Sequence, residues 1–142
     1  MNRQPRFIFL LTRFQKRLQH WINQHTNGAS AAQGGVLFLL EQQDNLLMGQ
    51  LAQQLDLAPS AVSGLVERMH KAGLVERGPC PEDGRAQRVQ LTELGRAQLP
   101  PLRARTQQLN ALLCEGFSTE ELATVERWLQ QAHARLSITN NA

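Results

Sequence analysis

The chain has 142 residues, 42% hydrophobic and 19% charged, a composition that fits one globular domain and excludes a disordered chain. Its longest apolar runs are five residues, too short for a membrane span of about 20, and two cysteines make no disulfide framework. The net charge of +3 includes a basic block, residues 68–109, that sums to +4 and allows nucleic-acid binding, although a solvated face explains it equally well.

The first predicted element is an amphipathic helix from about residue 6 to residue 25, which ends before Asn27-Gly28. Apolar side chains recur along it at steps of three and four, the spacing of one helical face. These side chains are Phe7, Leu11, Phe14, Leu18, Trp21 and Ile22.

A second helix is predicted from Ser30 through Leu40. Ser30 stands three residues before Gln33, which is the spacing of a capping box at a helix N-terminus. Gly34 and Gly35 lie inside this helix, where each costs about 1 kcal/mol relative to alanine. We expect them to allow close packing of another backbone.

Two further helices follow, separated by the three-residue turn 56–58. The first carries apolar residues on one face at Met48, Leu51, Ala52 and Leu55. The second runs from Pro59, which suits a first helical position, to Ala72, and Gly73 ends it. Its predicted buried face is Val62, Leu65, Val66 and Met69, and its opposite face is Ser60, Ser63, Gly64, Glu67 and Lys71.

Residues 74–77 and 87–91 have the pattern of two short strands joined by a long loop, 78–86. In the second strand, alternation places Val89 and Leu91 inside and Arg88 and Gln90 outside. The hairpin tip carries Arg85, and an arginine on such a tip can enter a narrow minor groove.

The remaining chain is predicted to be helical. Thr92 caps a helix towards Glu115, which Pro100 and Pro101 bend. Ser118 or Thr119 caps the last helix, whose apolar stripe is Leu122, Val125, Leu129, Ala132 and Leu136. The order helix, helix, turn, helix and hairpin is that of a winged helix-turn-helix.

This ordered series resembles the MarR-type transcriptional regulators, over residues 30–105 by motif and in pattern only for the outer helices. The motifs that carry the resemblance are Leu51-Ala52-Gln53-Gln54-Leu55, Pro59-Ser60-Ala61-Val62-Ser63, Leu65-Val66-Glu67-Arg68-Met69, Lys71-Ala72-Gly73-Leu74-Val75-Glu76-Arg77, Pro81-Glu82-Asp83-Gly84-Arg85-Ala86 and Val89-Gln90-Leu91-Thr92-Glu93-Leu94-Gly95.

The resemblance implies a homodimer in which the first and last helices of each chain intertwine. It also implies that Arg68 faces the DNA backbone, that Arg85 probes the minor groove with Arg88 close behind, and that Asp83 braces Arg85. The residues that would face bases are Ser60, Ala61, Ser63 and Gly64.

Two positions depart from the family pattern. Gly64 stands where many relatives carry a long basic residue, and Gly84 replaces a frequent arginine at the wing tip. Both departures weaken direct readout of bases, so we expect specificity to depend more on the serines and on DNA shape. An ion pair of Arg68 with Glu67 or Glu76 is an equally weighted alternative to a DNA contact.

The resemblance further implies a small aromatic or amphipathic effector, bound between the dimerisation and DNA-binding parts. Its candidate lining residues are Phe14, Trp21 and Trp128, although their helical spacing favours the dimer core. Cys80 lies on a loop expected to be exposed, where a thiolate could sense oxidants, and Cys114 is expected in the core.

No nucleophile motif, phosphate loop, paired carboxylates or metal-ligand spacing occurs in the sequence, so we expect no enzymatic activity, no cofactor and no metal. We therefore predict a mainly α protein with a small two-stranded β-wing, a winged helix-turn-helix with N- and C-terminal dimerisation helices. A single domain, 1–142, would contain a DNA-binding part at 30–92 and a helical dimerisation part at 1–29 and 93–142.

The predicted function is that of a cytoplasmic homodimeric regulator of transcription, expected to repress from a pseudo-palindromic operator and to be released by the effector. The predicted partners are double-stranded DNA, a second copy of the chain and the effector, with no membrane. Two alternatives remain open. One is a helical-dimer protein-interaction module with weak or lost DNA binding, and the other is a regulator that senses redox state through Cys80.

Overall fold

The computed structural model describes residues 4–26 and 30–139. Seven helices and three strands lie in those ranges: α1 (Phe7–His25), α2 (Ala31–Gln42), β1 (Leu46–Leu47), α3 (Met48–Leu55), α4 (Pro59–Lys71), β2 (Val75–Pro79), β3 (Gln87–Leu91), α5 (Glu93–Ala97), α6 (Leu99–Cys114) and α7 (Thr119–Thr139). The chain divides into two compact units, one ending at Arg103 and the other beginning at Ala104. The mainly helical class is confirmed.

The helix starts follow the predicted capping residues. The Ser30 hydroxyl accepts a hydrogen bond from the Gln33 N–H at 3.2 Å and begins α2. Ser118 and Glu121 form a reciprocal capping box that begins α7, with hydrogen bonds of 2.8 and 3.2 Å. The predicted end of the first helix at Asn27-Gly28 lies outside the described residues.

The core of the first unit is built by α2, α3, α4 and the sheet. The predicted buried face of α4 is confirmed, because all four of its apolar residues are buried. The side chains that are less than 2% exposed are Leu40, Leu46, Leu51, Met69, Val36, Val62, Val66, Val75 and Val89. This core holds the helix-turn-helix and the hairpin as one packed body.

The two glycines of α2 face leucine side chains. The prediction that another backbone packs closely against them was therefore wrong. A Cβ on Gly35 would lie 2.7 Å from Leu55 Cδ2, and a Cβ on Gly34 would lie 3.4 Å from Leu102 Cδ1. A branched side chain fills the space that each missing Cβ leaves, which keeps α2 close to α3 and to the start of α6.

The sheet has three antiparallel strands in the order β1-β3-β2, one more than the predicted two-stranded wing. Leu46 pairs with Val89 and Leu47 pairs with Arg88, so β1 covers the edge of β3. A two-residue strand is too short to show alternation, which is why the sequence pattern did not indicate it. In β3, the predicted inward positions Val89 and Leu91 are buried, as expected.

The helix predicted from Thr92 to Glu115 is two helices, α5 and α6, that meet at Gln98. Thr92 caps α5 as predicted, because its hydroxyl accepts from the Gly95 N–H at 3.0 Å. Pro100 and Pro101 have no N–H for the carbonyls one turn earlier, so they fit only the first turn of a new helix.

Large apolar side chains remain exposed on the outer helices of the chain. In the first unit, α1 has no buried residue, and its most exposed apolar side chain, Ile8, is 85% accessible. In the second unit, the exposed residues include Leu112, Leu113, Phe117, Val125, Leu129 and Leu136. Cys114 is also exposed, so its expected core position was wrong. Within the described ranges, no helix is long and apolar enough to cross a membrane.

Candidate nucleic-acid interface

The turn between α3 and α4 sets the start of the helix that was predicted to enter DNA. Asp56 adopts a left-handed conformation with φ 55° and ends α3, and the Leu57 N–H donates to the Ala52 carbonyl at 3.0 Å. Ala58 is extended and has no side chain that could cap α4, and Pro59 occupies the first turn. The first turn of α4 therefore lacks a side-chain cap.

The exposed face of α4 carries the predicted base-facing residues. Ser60, Ala61 and Ser63 are exposed, and Gly64 is half-buried. Glu67 on the same face pairs with Lys71 at 3.4 Å. In the described part of the chain, neither Glu67 nor Glu76 forms an ion pair with Arg68, which is exposed.

Asp83 stabilises the wing tip through the backbone of Arg85. Its carboxylate accepts a hydrogen bond from the Arg85 N–H at 3.0 Å, while the Ala86 N–H donates to the Asp83 carbonyl at 3.1 Å. The Cys80 N–H closes the base of the loop by donating to the Ala86 carbonyl at 3.0 Å. Among the described residues, no ion pair engages the Arg85 guanidinium, so the tip is folded while its cation remains exposed.

The side chain of Arg88 is half-buried and contacts the turn before β1. Its Nη1 donates to the Asn45 carbonyl at 2.8 Å, and Gln90 Nε2 donates to Asn45 Oδ1 at 3.1 Å. Asn45 has φ 62°, a left-handed conformation that asparagine tolerates better than most residues. The structure thus places Arg88 on β3, three residues along the chain from Arg85, and links its guanidinium to this turn.

Asp44 joins the same turn to β3 and α5. Its Oδ1 accepts from the Leu91 N–H at 3.0 Å, and its Oδ2 pairs with Arg96 Nη2 at 2.8 Å. Sequence reasoning missed this contact because the partners lie 47 and 52 residues away along the chain. A lone Asp-Asn pair in a sequence indicates only a turn.

We expect Asp44→Ala to lower the free energy of unfolding by about 1–3 kcal/mol, because the Leu91 N–H loses its acceptor in a half-buried place. Asp44→Asn keeps an oxygen for that N–H and loses only the charge. The Arg96 pair is largely exposed, so this second variant should cost less than about 1 kcal/mol. Urea unfolding followed by circular dichroism measures both values. Equal losses in the two variants would show that the ion pair dominates.

Cys80 is only 5% exposed, so its expected exposure on the loop was wrong. The wing closes over its side chain, because the Cys80 N–H bonds back to Ala86. Hydrogen bonds from the backbone N–H groups of Glu82 and Asp83 lower the pKa of the Cys80 thiol, an effect that burial opposes and Arg88 reinforces. The lowered pKa favours a reactive thiolate, and the burial restricts access of an oxidant to it.

The candidate effector residues belong to different units. In the first, Phe14 is exposed, and Trp21 is half-buried and stacks on His25 with ring centroids 3.9 Å apart. In the second, Trp128 is half-buried on α7. Their role in binding an effector remains a prediction. No group of three metal-ligating side chains occurs within the described residues.

An open concavity of about 550 Å³ lies between the first turn of α3 and the base of the wing. Gln50 and Gln53 line it from α3, and Arg85 and Gln87 line it from the wing. The first helix of the helix-turn-helix and the wing thus border one concavity, to which the exposed Arg85 contributes.

Known proteins share both the sequence pattern and this fold. A family model described as "MarR family" matches residues 27–86. The HTH-type transcriptional regulator YsmB of Bacillus subtilis is 32% identical over 97 residues, which are 68% of this chain and 66% of that protein. The chain belongs to the MarR family. The resemblance suggested by the sequence motifs is confirmed.

Two further comparisons, one of sequence and one of structure, are with regulators of transcription. The HTH-type transcriptional repressor IacR of Pseudomonas putida is 26% identical over 95 residues, 67% of this chain and 57% of that protein. The matched segment thus spans less than two thirds of either curated relative. The crystal structure of a probable transcriptional regulator from Pseudomonas aeruginosa has a TM-score of 0.83 at 26% identity, covering 89% of this chain and 96% of that one. In MarR-family terms, α4 is the recognition helix and β2–β3 form the wing.

Proposed function

We propose that this MarR-family chain is a sequence-specific DNA-binding regulator of transcription that acts as a homodimer. The observation that carries the proposal is that two elements of the first unit each present exposed groups suited to DNA. The exposed face of α4 presents short polar side chains, and the folded wing presents an arginine whose guanidinium no ion pair engages among the described residues.

The dimensions of α4 suit the major groove. A helix with its side chains is about 10–12 Å across, and the groove of B-form DNA is about 12 Å wide. Small residues on the outer face allow the closest approach, and here that face begins with Ser60, Ala61, Ser63 and Gly64. We propose that these four residues face base edges.

The wing supplies the second set of contacts. Arg85 is held at the tip by the Asp83 bond to its backbone, and its side chain is free to enter a minor groove. Arginine is the side chain most often found in narrow, strongly negative minor grooves. Arg88 adds positive charge behind Arg85. Its hydrogen bond to the Asn45 carbonyl also holds the turn before β1 in position.

The exposed apolar faces of the outer helices support a dimer. Soluble monomers rarely expose contiguous apolar surface of this kind, and α1 alone exposes Phe7, Ile8, Phe9, Leu10, Leu11 and Phe14. A two-fold dimer would place its recognition helices about 34 Å apart and would select a pseudo-palindromic operator.

Repression and effector release complete the proposal. The repressor IacR is one of the relatives, and a bound regulator most simply represses by occupying its operator. An effector would release DNA if it bound more tightly to a form of the dimer with a different spacing of the recognition helices. The loss of DNA affinity is limited by the difference between the effector's affinities for that form and for the DNA-binding form. The predicted site for it is the aromatic set Phe14, Trp21 and Trp128. We propose as well that the chain has no catalytic activity and acts in the cytoplasm, both of which the sequence predicts.

Arg85→Ala tests this proposal. The probe is a duplex that the wild type selects from a random library. We expect the variant to bind it about tenfold more weakly than the wild type does, because a charge-assisted groove contact is lost. Fluorescence anisotropy at fixed salt measures the change. Arg127→Ala on α7 is the matched control, since it removes the same charge from an exposed helix of the other unit.

If the wild type binds its selected duplex tightly and Arg85→Ala binds it equally well, the wing arginine does not contribute to the DNA interface. A wild-type chain that selects no sequence at all would favour the protein-interaction module instead.

A further inference from the structure

The exposed face of α4 has two rows of side chains, each spaced by four residues. One row is Ser63, Glu67 and Lys71, in which the carboxylate and the ammonium lie 3.4 Å apart and compensate each other. The other row is Ser60, Gly64 and Arg68. Only the second row presents a charge that no ion pair balances among the described residues.

Arg68 lies back over Gly64. A Cβ added to Gly64 would stand 3.4 Å from Arg68 Nη1, so the guanidinium occupies the space beside the glycine. This direction is the one expected of a helical side chain, since the Cα–Cβ bond tilts towards the N-terminus of its helix. The head group of Arg68 is therefore carried one turn towards the end of α4 that would enter the groove.

The other residues of this face discriminate poorly between bases. A serine hydroxyl donates and accepts, so it fits any base pair, and alanine contacts only a thymine methyl group. Glu67 could accept from cytosine, but its carboxylate is engaged by Lys71. Arg68 and Lys71 could both donate to the O6 and N7 of guanine, but Lys71 is paired with Glu67, which leaves the fork of Arg68 for this base edge.

We propose that Arg68 is the base-reading residue of the recognition helix, an inference that rests on the proposed function. Its guanidinium passes over Gly64 and binds one guanine edge in the major groove of each half-site. The basic side chain that Gly64 lacks is thereby supplied from the next helical turn. This assignment replaces the backbone contact that the family resemblance implies for Arg68.

A guanine scan tests the assignment. The probe is a duplex selected by the wild-type chain from a random library, in which each guanine is replaced in turn by 7-deazaguanine, which lacks the N7 acceptor. We expect one guanine per half-site at which this change weakens wild-type binding about tenfold, and we expect no such guanine for Arg68→Ala.

Two further variants separate base reading from charge. Arg68→Lys keeps the charge and loses the fork, so its affinity for a scrambled duplex and its salt dependence should stay at wild-type values while the sensitivity to 7-deazaguanine disappears. Lys71→Ala removes a charge from the other row of α4 and should keep that sensitivity. Circular dichroism confirms that each variant is folded.

Two outcomes would overturn the inference alone. One is an Arg68→Ala chain with the same sensitive guanine as the wild type, and the other is an Arg68→Lys chain indistinguishable from the wild type throughout the scan. A wild-type chain that binds selected and scrambled duplexes equally would overturn the proposed function as well, so the two failures are distinguishable.

Discussion

Replacing Gly95 by alanine is expected to lower the free energy of unfolding by about 3 kcal/mol, a large fraction of the stability of a domain this size. A Cβ at this position would lie 2.1 Å from the Leu74 carbonyl oxygen, which belongs to the backbone just before β2. Neither atom can move alone, because that carbonyl accepts from the Thr92 N–H at 3.2 Å. The contact between α5 and the hairpin must therefore open.

The cap of α5 makes this site rigid. The Thr92 hydroxyl donates to the Gly73 carbonyl at 2.6 Å and accepts from the Gly95 N–H at 3.0 Å. Gly73 itself has φ 77° and ends the recognition helix, as predicted. A shift of α5 would thus disturb the end of α4 and the start of the hairpin together.

Urea unfolding followed by circular dichroism measures the effect of Gly95→Ala. Gly84→Ala is the matched control, because a Cβ there would meet no atom within 4 Å and the residue is exposed. We expect this control to change the unfolding free energy by less than about 0.5 kcal/mol. Wild-type stability in Gly95→Ala would mean that α5 can move away from Leu74 without loss.

The second large effect is expected from Leu11→Asp on the apolar face of α1. If this face packs against a second copy of the chain, as we propose, a carboxylate at its centre must be buried or the dimer must separate. Burying an unpaired carboxylate costs several kcal/mol, so we expect a monomer at concentrations where the wild type is a dimer.

The loss of the dimer also changes DNA binding. A monomer contacts a single half-site and loses the increase in affinity that comes from binding two linked half-sites at once. Affinity for the selected duplex should therefore fall about a hundredfold or more. Sedimentation and anisotropy measure the two effects. Gln19→Asp adds the same charge at an exposed position outside the apolar stripe and should leave both unchanged. A dimeric Leu11→Asp chain would contradict the proposed interface.

The helices of this fold could be predicted from the sequence because their signals are local. The buried face of α4, the Ser30, Thr92 and Ser118 caps and the stop at Gly73 each depend on residues within about one turn. The features that could not be predicted depend on distant residues. Strand β1 exists because β3 lies beside it, and Cys80 is buried because the loop folds over it.

The same distinction applies to the candidate site. The positions of Ser60, Ser63 and Arg85 on exposed faces followed from helix and hairpin patterns. The engagement of Arg88 by Asn45 joins residues 43 apart in the chain, which no local pattern indicates. Compared with the family pattern, the sequence indicated only that Gly64 lacks the basic side chain that many relatives carry. The structure shows that the Arg68 side chain lies over the space beside Gly64.

Sequence-specific binding of DNA by this chain is tested most directly by one measurement. Fluorescence anisotropy of the purified chain, with its selected duplex and a scrambled duplex across a salt series, separates base reading from charge. We predict tighter binding to the selected duplex at every salt concentration and a steep loss of affinity with salt, with a logarithmic slope of about 0.9 per phosphate contacted. Equal affinity for the two duplexes, or no binding at low salt, would contradict it.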